Sequence, residues 1–212
     1  MIRNKKVEFF IIGAAKSGST LINDLISQHP EVKMLKKEMH YFEFCDQKPQ
    51  YNGPGDDKFC DNILTDKGEF ERLFELEHDK KIGESSVFYL HYSSSAKKIY
   101  DYNPEAKIIV ILRDPVFRAY SAYNYLKSTG QRETETSFEK ALSREKERAN
   151  ANWEPIWFYK GLSFYYHQLK RYYNIFPVQN IKVFKYEDFV ANIPFQMQEL
   201  EIFLGLTKWS EY

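Results

Sequence analysis

The chain has 212 residues, 43% hydrophobic and 28% charged, which is enough apolar material for one domain with a buried core and somewhat short for two. Its 30 basic and 30 acidic side chains cancel to a formal net charge of zero, which excludes a global field that recruits nucleic acid or an anionic membrane, so any anion site must be local. No apolar run approaches the roughly 20 residues needed to span a bilayer, and the opening MIRNKKVEFFIIGAAKSGST has no core long enough for an export signal, so a membrane partner is not expected.

Residues 7–13, VEFFIIG, form a short apolar run ended by glycine and read as a buried strand. Leu21, Ile22, Leu25 and Ile26 then recur at helical spacing until His29-Pro30. The glycine-, proline- and aspartate-rich stretch 46–68 reads as a surface loop or lid. The two cysteines, Cys45 and Cys60, lie in or beside it, and without an export signal both are expected as reduced thiols in the cytoplasm. Residues 81–88 give a weak strand, Lys107–Leu112 (KIIVIL) a strong one, and 181–186 (IKVFKY) a half-covered one. Asp114-Pro115 caps a helix running to about Lys127, and further helices are expected over 137–150, over the aromatic stretch 161–176, and over 195–204 with Gly205 as C-cap. This alternation predicts one α/β domain over 1–212, a P-loop-like three-layer sandwich whose central, mainly parallel sheet is flanked by helices. Ligands in such folds bind at the carboxyl ends of the strands.

Residues 13–20, GAAKSGST, stand between the first strand and the first helix, where free backbone N–H groups and the positive helix end gather around an anion. A nucleotide kinase loop, GxxxxGK[ST], needs lysine directly after its second glycine. Gly13, Gly18 and Thr20 fit that spacing, but Ser19 holds the lysine position and the lysine is Lys16, which argues against a kinase. A second basic group, Arg113, ends the KIIVIL strand beside a capped helix, and Ser121 lies two helical turns beyond Asp114, so the pair can hold one phosphate. Between these, KKEMHYFEF (36–44) sets Lys37, Glu38 and His40 among aromatics, where a carboxylate can act as general base.

Taken in order, these motifs resemble those of sulfotransferases that use 3'-phosphoadenosine 5'-phosphosulfate (PAPS), in particular the branch of the heparan sulfate enzymes and bacterial sulfotransferases. KSGST is similar to the family's PKSGTT loop, with Ala15 in place of proline. RDPVFRAYSAY matches RDPxxRxxSxY through Arg113, Asp114, Pro115, Arg118, Ser121 and Tyr123, and KEMHYF is similar to KExHFF. The resemblance implies PAPS as sulfuryl donor, PAP as product, no metal, and a saccharide or small-molecule acceptor. It implies that Lys16, Ser17, Gly18, Ser19 and Thr20 hold the 5'-phosphosulfate, that Arg113 and Ser121 hold the 3'-phosphate, and that Glu38 is the base with His40 beside it. KYEDF resembles the family's YED element and puts Tyr186 near the adenine, although the residues alone read more readily as a buried structural tyrosine. Tyr165 and His167 read as part of an aromatic core stripe. Glu84-Ser85-Ser86 is similar to the family's GE(K/S)(S/T)P-like element, but Ser85 stands in place of the lysine common in the heparan sulfate branch and Val87 in place of the usual proline, which weakens a heparan-type acceptor. Many members continue past the equivalent of FLGL into a basic loop over the donor, whereas six residues follow Leu206 here. The expectation is therefore open between completion of the donor site by other residues, weak binding, and a minimal or truncated form. The rival readings are a P-loop kinase with a displaced lysine and a non-catalytic nucleotide-binding module.

Overall fold

The computed structural model describes residues 5–77 and 79–209. Five strands, β1 (Phe9–Ile11), β2 (Val32–Met34), β3 (Lys81–Ser85), β4 (Lys107–Leu112) and β5 (Ile181–Lys185), form one sheet in the order β2-β3-β1-β4-β5. Every pairing is parallel, and helices cover both faces, as the alternating pattern predicts. Alternate residues of β1 and β4 point into two separate cores. Phe10, Ile108 and Val110 pack with Tyr89, Tyr172 and Phe176, while Phe9, Ile11, Ile109 and Ile111 pack with Ile22, Met197 and Leu200. Each such side chain contributes about 1.5–3 kcal/mol by leaving water, which is why so short a β1 stays fixed at the centre. Gly83 in β3 leaves no room for a side chain, because a Cβ there would run into the buried Phe9 ring.

The helix Pro115–Ser128 begins as predicted, with the Asp114 carboxylate accepting from the N–H of Val116 at 2.9 Å and of Phe117 at 3.1 Å. Ser19–Ile26 and Ile193–Leu204 also form, the latter stopped by Gly205 at φ 65. Three expectations need correction. Strand β2 escaped notice because three residues, VKM, with one side chain buried carry too little periodicity. The helix expected over 137–150 is two, Phe138–Ser143 and Glu145–Asn150, broken where the Ser143 hydroxyl donates back to the Lys140 carbonyl and Arg144 turns to pair with Glu135 and Glu147. The helix expected over 161–176 is a 3₁₀ turn, Gly161–Ser163, followed by Tyr165–Tyr173; the Gln168 amide donates to the carbonyls of Gly161 and Phe164 across the break. Its aromatic stripe is only partly core, since Tyr172 is buried whereas Tyr166 and His167 face solvent. Stretch 46–68 is exposed over most of its length, as a surface loop should be. It holds the short helix Asp57–Asp61 and is pinned by Asp56, which is fully buried.

Candidate active site

The strand-to-helix turn after β1 is built for close approach. Gly18 caps the helix Ser19–Ile26 at φ 100, and a Cβ there lies 2.7 Å from the Tyr186 ring. Lys16 also takes a left-handed conformation, φ 65, which turns its side chain out of the loop while Ser17 is buried beneath it. The Lys16 ammonium sits 3.8 Å from the centroid of the Tyr125 ring. Its pKa is lowered by partial burial and then by the neighbouring charges of Lys37 and Arg113, opposed by Glu38. The Arg113 guanidinium lies 4.7 Å from the centroid of Tyr186. Both cations therefore rest on aromatic faces rather than on carboxylates, which keeps their charge available to an anion. Lys37 joins them from the far side of the cavity, donating to the Thr20 hydroxyl at 2.8 Å.

Lys16, Gly18, Ser19, Thr20, Glu38, His40, Arg113, Ser121 and Tyr186 all line one cavity of about 470 Å³, so the fold gathers four segments that the sequence holds far apart. Ser17 is the exception among the expected site residues: it lies below the loop, its N–H donating to the Ala14 carbonyl at 3.2 Å. Arg118 does not face the cavity. It is fully buried, with its Nε donating to the Ser163 hydroxyl at 2.7 Å and its other end held by the Tyr159 carbonyl, so its place in the motif is structural. Tyr123 likewise ties the helix to the Glu135 carbonyl at 3.1 Å. Tyr165 anchors the end of β4, donating to the Arg113 carbonyl at 3.0 Å, whereas His167 is exposed and remote from the cluster.

Glu38 and His40 both sit at positive φ, 59 and 54, and hydrogen bonds hold this turn in place. The Glu38 N–H donates to the Ser85 carbonyl at 2.8 Å, its carboxylate accepts from the Val87 N–H at 3.0 Å, and the Lys37 ammonium pairs with it at 3.0 Å. The His40 ring is buried, with Nδ1 2.6 Å from Glu43 and Nε2 3.4 Å from Glu38. Burial pushes its pKa down, but the charges of Glu43, Glu38 and Glu84 outweigh that and hold it up at about 9. Glu84, fully buried, is pushed up to about 8 by burial, against the hydrogen bond it accepts from the Ser86 hydroxyl at 2.5 Å. That same hydroxyl accepts from the His40 N–H at 3.0 Å, so Glu84 fixes His40 through Ser86.

Sequence reasoning left some of this site without a role. In the sequence Lys37 reads only as a neighbour of Glu38, although the KKE run puts it within reach of the cavity it lines. Glu154 lines the cavity and accepts from Arg132 at 2.9 Å; Arg132 also holds Asp56, which accepts from the Glu154 N–H at 2.7 Å and the Trp157 indole at 2.9 Å. Only the acid within the apolar stretch NWEPIW hints at it. Among the described residues no group of three or more His, Cys, Asp or Glu side chains is arranged to hold a metal ion, and no described helix is long and apolar enough to cross a membrane.

Residues 8–211 match the family model described as the sulfotransferase family. A sulfotransferase from Alicyclobacillus acidocaldarius shares 38% identity and superposes with a TM-score of 0.91, over 96% of this chain and 82% of that one. Heparan sulfate glucosamine 3-O-sulfotransferase 5 of Mus musculus is 24% identical over 92% of this chain and 52% of its own length. A mouse sulfotransferase solved in complex with PAP has the same fold, with a TM-score of 0.58 at 16% identity over 98% of this chain and 61% of that one. The chain spans between about a quarter and about half the length of the first curated relatives it matches.

Proposed function

We propose that this chain, which belongs to the sulfotransferase family, transfers a sulfuryl group from PAPS to a hydroxyl or amine of a small-molecule or saccharide acceptor as one 1–212 domain. PAPS supplies an activated sulfuryl group on a phosphate leaving group. Lys16 and the N–H groups at the start of the Ser19–Ile26 helix hold the 5'-phosphosulfate and offset the charge that develops on the leaving oxygen. Arg113 and Ser121 hold the 3'-phosphate, and Tyr186 provides a face for the adenine beside them. Glu38 takes the acceptor's proton as the acceptor atom bonds to sulfur and the sulfur–oxygen bond to the 5'-phosphate breaks, its electron pair leaving on that phosphate. His40, pinned by Glu43 and by Ser86, keeps that carboxylate in place.

The observation that carries this reading is a single cavity in which Lys16 and Arg113, two cations without carboxylate partners among the described residues, face Glu38. The residues present fit a ligand with two separated phosphate-like groups. Cys45 and Cys60 are separate thiols, Cys60 donating to the Pro49 carbonyl, which fits the reducing cytoplasm. The test is calorimetric titration with PAP against ADP. Clear preference for PAP without magnesium supports the reading, and equal affinity or magnesium-dependent preference for ADP overturns it. Glu38→Gln should then leave PAP affinity unchanged and lower transfer about 100-fold or more. A nucleotide-binding module without turnover would show PAP binding and no transfer by either protein.

A further inference from the structure

The cavity continues past Glu38 along a wall that donor chemistry does not need. The His40 ring lies 4.6 Å from the Phe59 ring and 5.7 Å from that of Phe88, centroid to centroid, and Phe59 and Phe88 meet at 5.6 Å. Val87, whose N–H holds Glu38, and Ile156 extend this apolar surface. At its end stands Glu154, only 5% exposed yet open to the cavity.

The charges behind the wall do not balance. Glu38 is paired with Lys37, and Glu43 with His40. Asp56 and Glu154, however, share the single guanidinium of Arg132, so two carboxylates face one cation. The unpaired cations, Lys16 and Arg113, belong to the loop side. A sulfated or carboxylated chain entering along this wall meets apolar rings and, above about pH 7 where Glu154 gives up its proton, a second negative charge beside that of Asp56, which disfavours it.

We infer that the acceptor is a small phenol or alcohol with an aromatic or otherwise apolar body and a neutral or cationic distal group, and that Glu154 is the residue that reads that group. The apolar body lies on Phe59, Val87, Phe88 and Ile156, with its hydroxyl towards Glu38. The Glu154 carboxylate accepts a hydrogen bond from a distal ammonium or hydroxyl and turns away a distal carboxylate. This rests on the donor reading above.

Three phenols of nearly equal size test it: tyramine, 4-ethylphenol and 3-(4-hydroxyphenyl)propionate. Each is titrated at about pH 8, where Glu154 is ionised, into the PAP-saturated protein by calorimetry and offered as acceptor with PAPS. The expected order of affinity and of kcat/KM is tyramine, then 4-ethylphenol, then the carboxylate, with the outer two separated by at least about tenfold. In Glu154→Gln the advantage of tyramine over 4-ethylphenol should vanish, while affinity for 4-ethylphenol and for PAP stays within about twofold. The inference is overturned if the carboxylate binds as well as tyramine, if Glu154→Gln keeps the wild-type ratio, or if none of the three binds while a sulfated oligosaccharide does. Should Glu154→Gln fail to fold, the wild-type order still decides the question. Loss of PAP preference over ADP sinks the donor reading instead, and PAP preference with a carboxylate-tolerant acceptor side sinks this one alone.

Discussion

One wall of the cavity comes from a single strand-to-helix turn, Ala15 to Thr20, in which only the buried Ser17 stays out of the cavity, completed by Arg113; the other is assembled from Glu38, Phe59, Phe88 and Glu154, four places on four different segments. The first wall presents cations resting on rings and the free N–H groups of a helix start. The second presents rings backed by buried acids. A phosphate is recognised by backbone and point charge, so a short contiguous stretch suffices. An acceptor is recognised by shape and by a few placed carboxylates, which only tertiary structure can bring together.

If the two walls divide the work in this way, substitutions on the first should fall on the donor. Lys16→Ala is expected to have the largest effect, lowering transfer by about 100- to 1,000-fold, the scale for losing one group that stabilises developing charge. Steady-state rates with PAPS, set beside PAP affinity, measure it; an equal loss in both would mean that Lys16 only binds. Arg113→Ala should weaken PAP by about 10- to 100-fold, as loss of a hydrogen bond to a charged group implies. It should leave adenosine 5'-phosphosulfate, which lacks the 3'-phosphate, nearly unchanged in the same calorimetric titration. An equal loss for both ligands would merge the two phosphate subsites into one and remove the main ground for preferring PAPS to ATP.

The same contrast explains what the sequence made legible. The Gly13–Thr20 turn, the Asp114 cap and the KIIVIL strand are local features whose meaning survives without neighbours, and each lies where its pattern puts it. The Pro115–Ser128 helix carries Ser121 to the cavity for the same reason. The 46–68 stretch reads only as a surface loop because glycine, proline and aspartate look alike in a free loop and in one pinned by a buried acid; only Arg132, Trp157 and the Glu154 N–H, about a hundred residues away at the furthest, reveal Asp56 as an anchor. Glu154 shows in the sequence only as an acid in an apolar stretch for a related reason, since its neighbours across the cavity come from stretches that share no periodicity with it.

The smallest expected effect tests the second wall by its protons. His40 keeps its proton up to about pH 9 when folded, against its usual 6.5, so its stabilising share is complete below 6.5 and lost as pH rises through about 9. Glu84 holds a proton up to about 8, and Glu154 up to about 7, against the usual 4.5. In all three cases the folded chain binds protons that the unfolded chain has already released, so stability falls as pH rises through these windows. Glu84→Gln keeps the shape of the protonated carboxyl and an oxygen for the Ser86 hydroxyl, but has no proton to lose. Its melting temperature should therefore fall less than that of the wild type between about pH 5 and pH 8, while PAP affinity is unaltered. Parallel melting curves across that range would show that Glu84 is already ionised in the fold. The acids of this wall would then form a charged network shielded by His40 and Arg132 rather than a partly neutral one, with the Ser86 hydroxyl donating to an ionised Glu84 while it holds the His40 N–H.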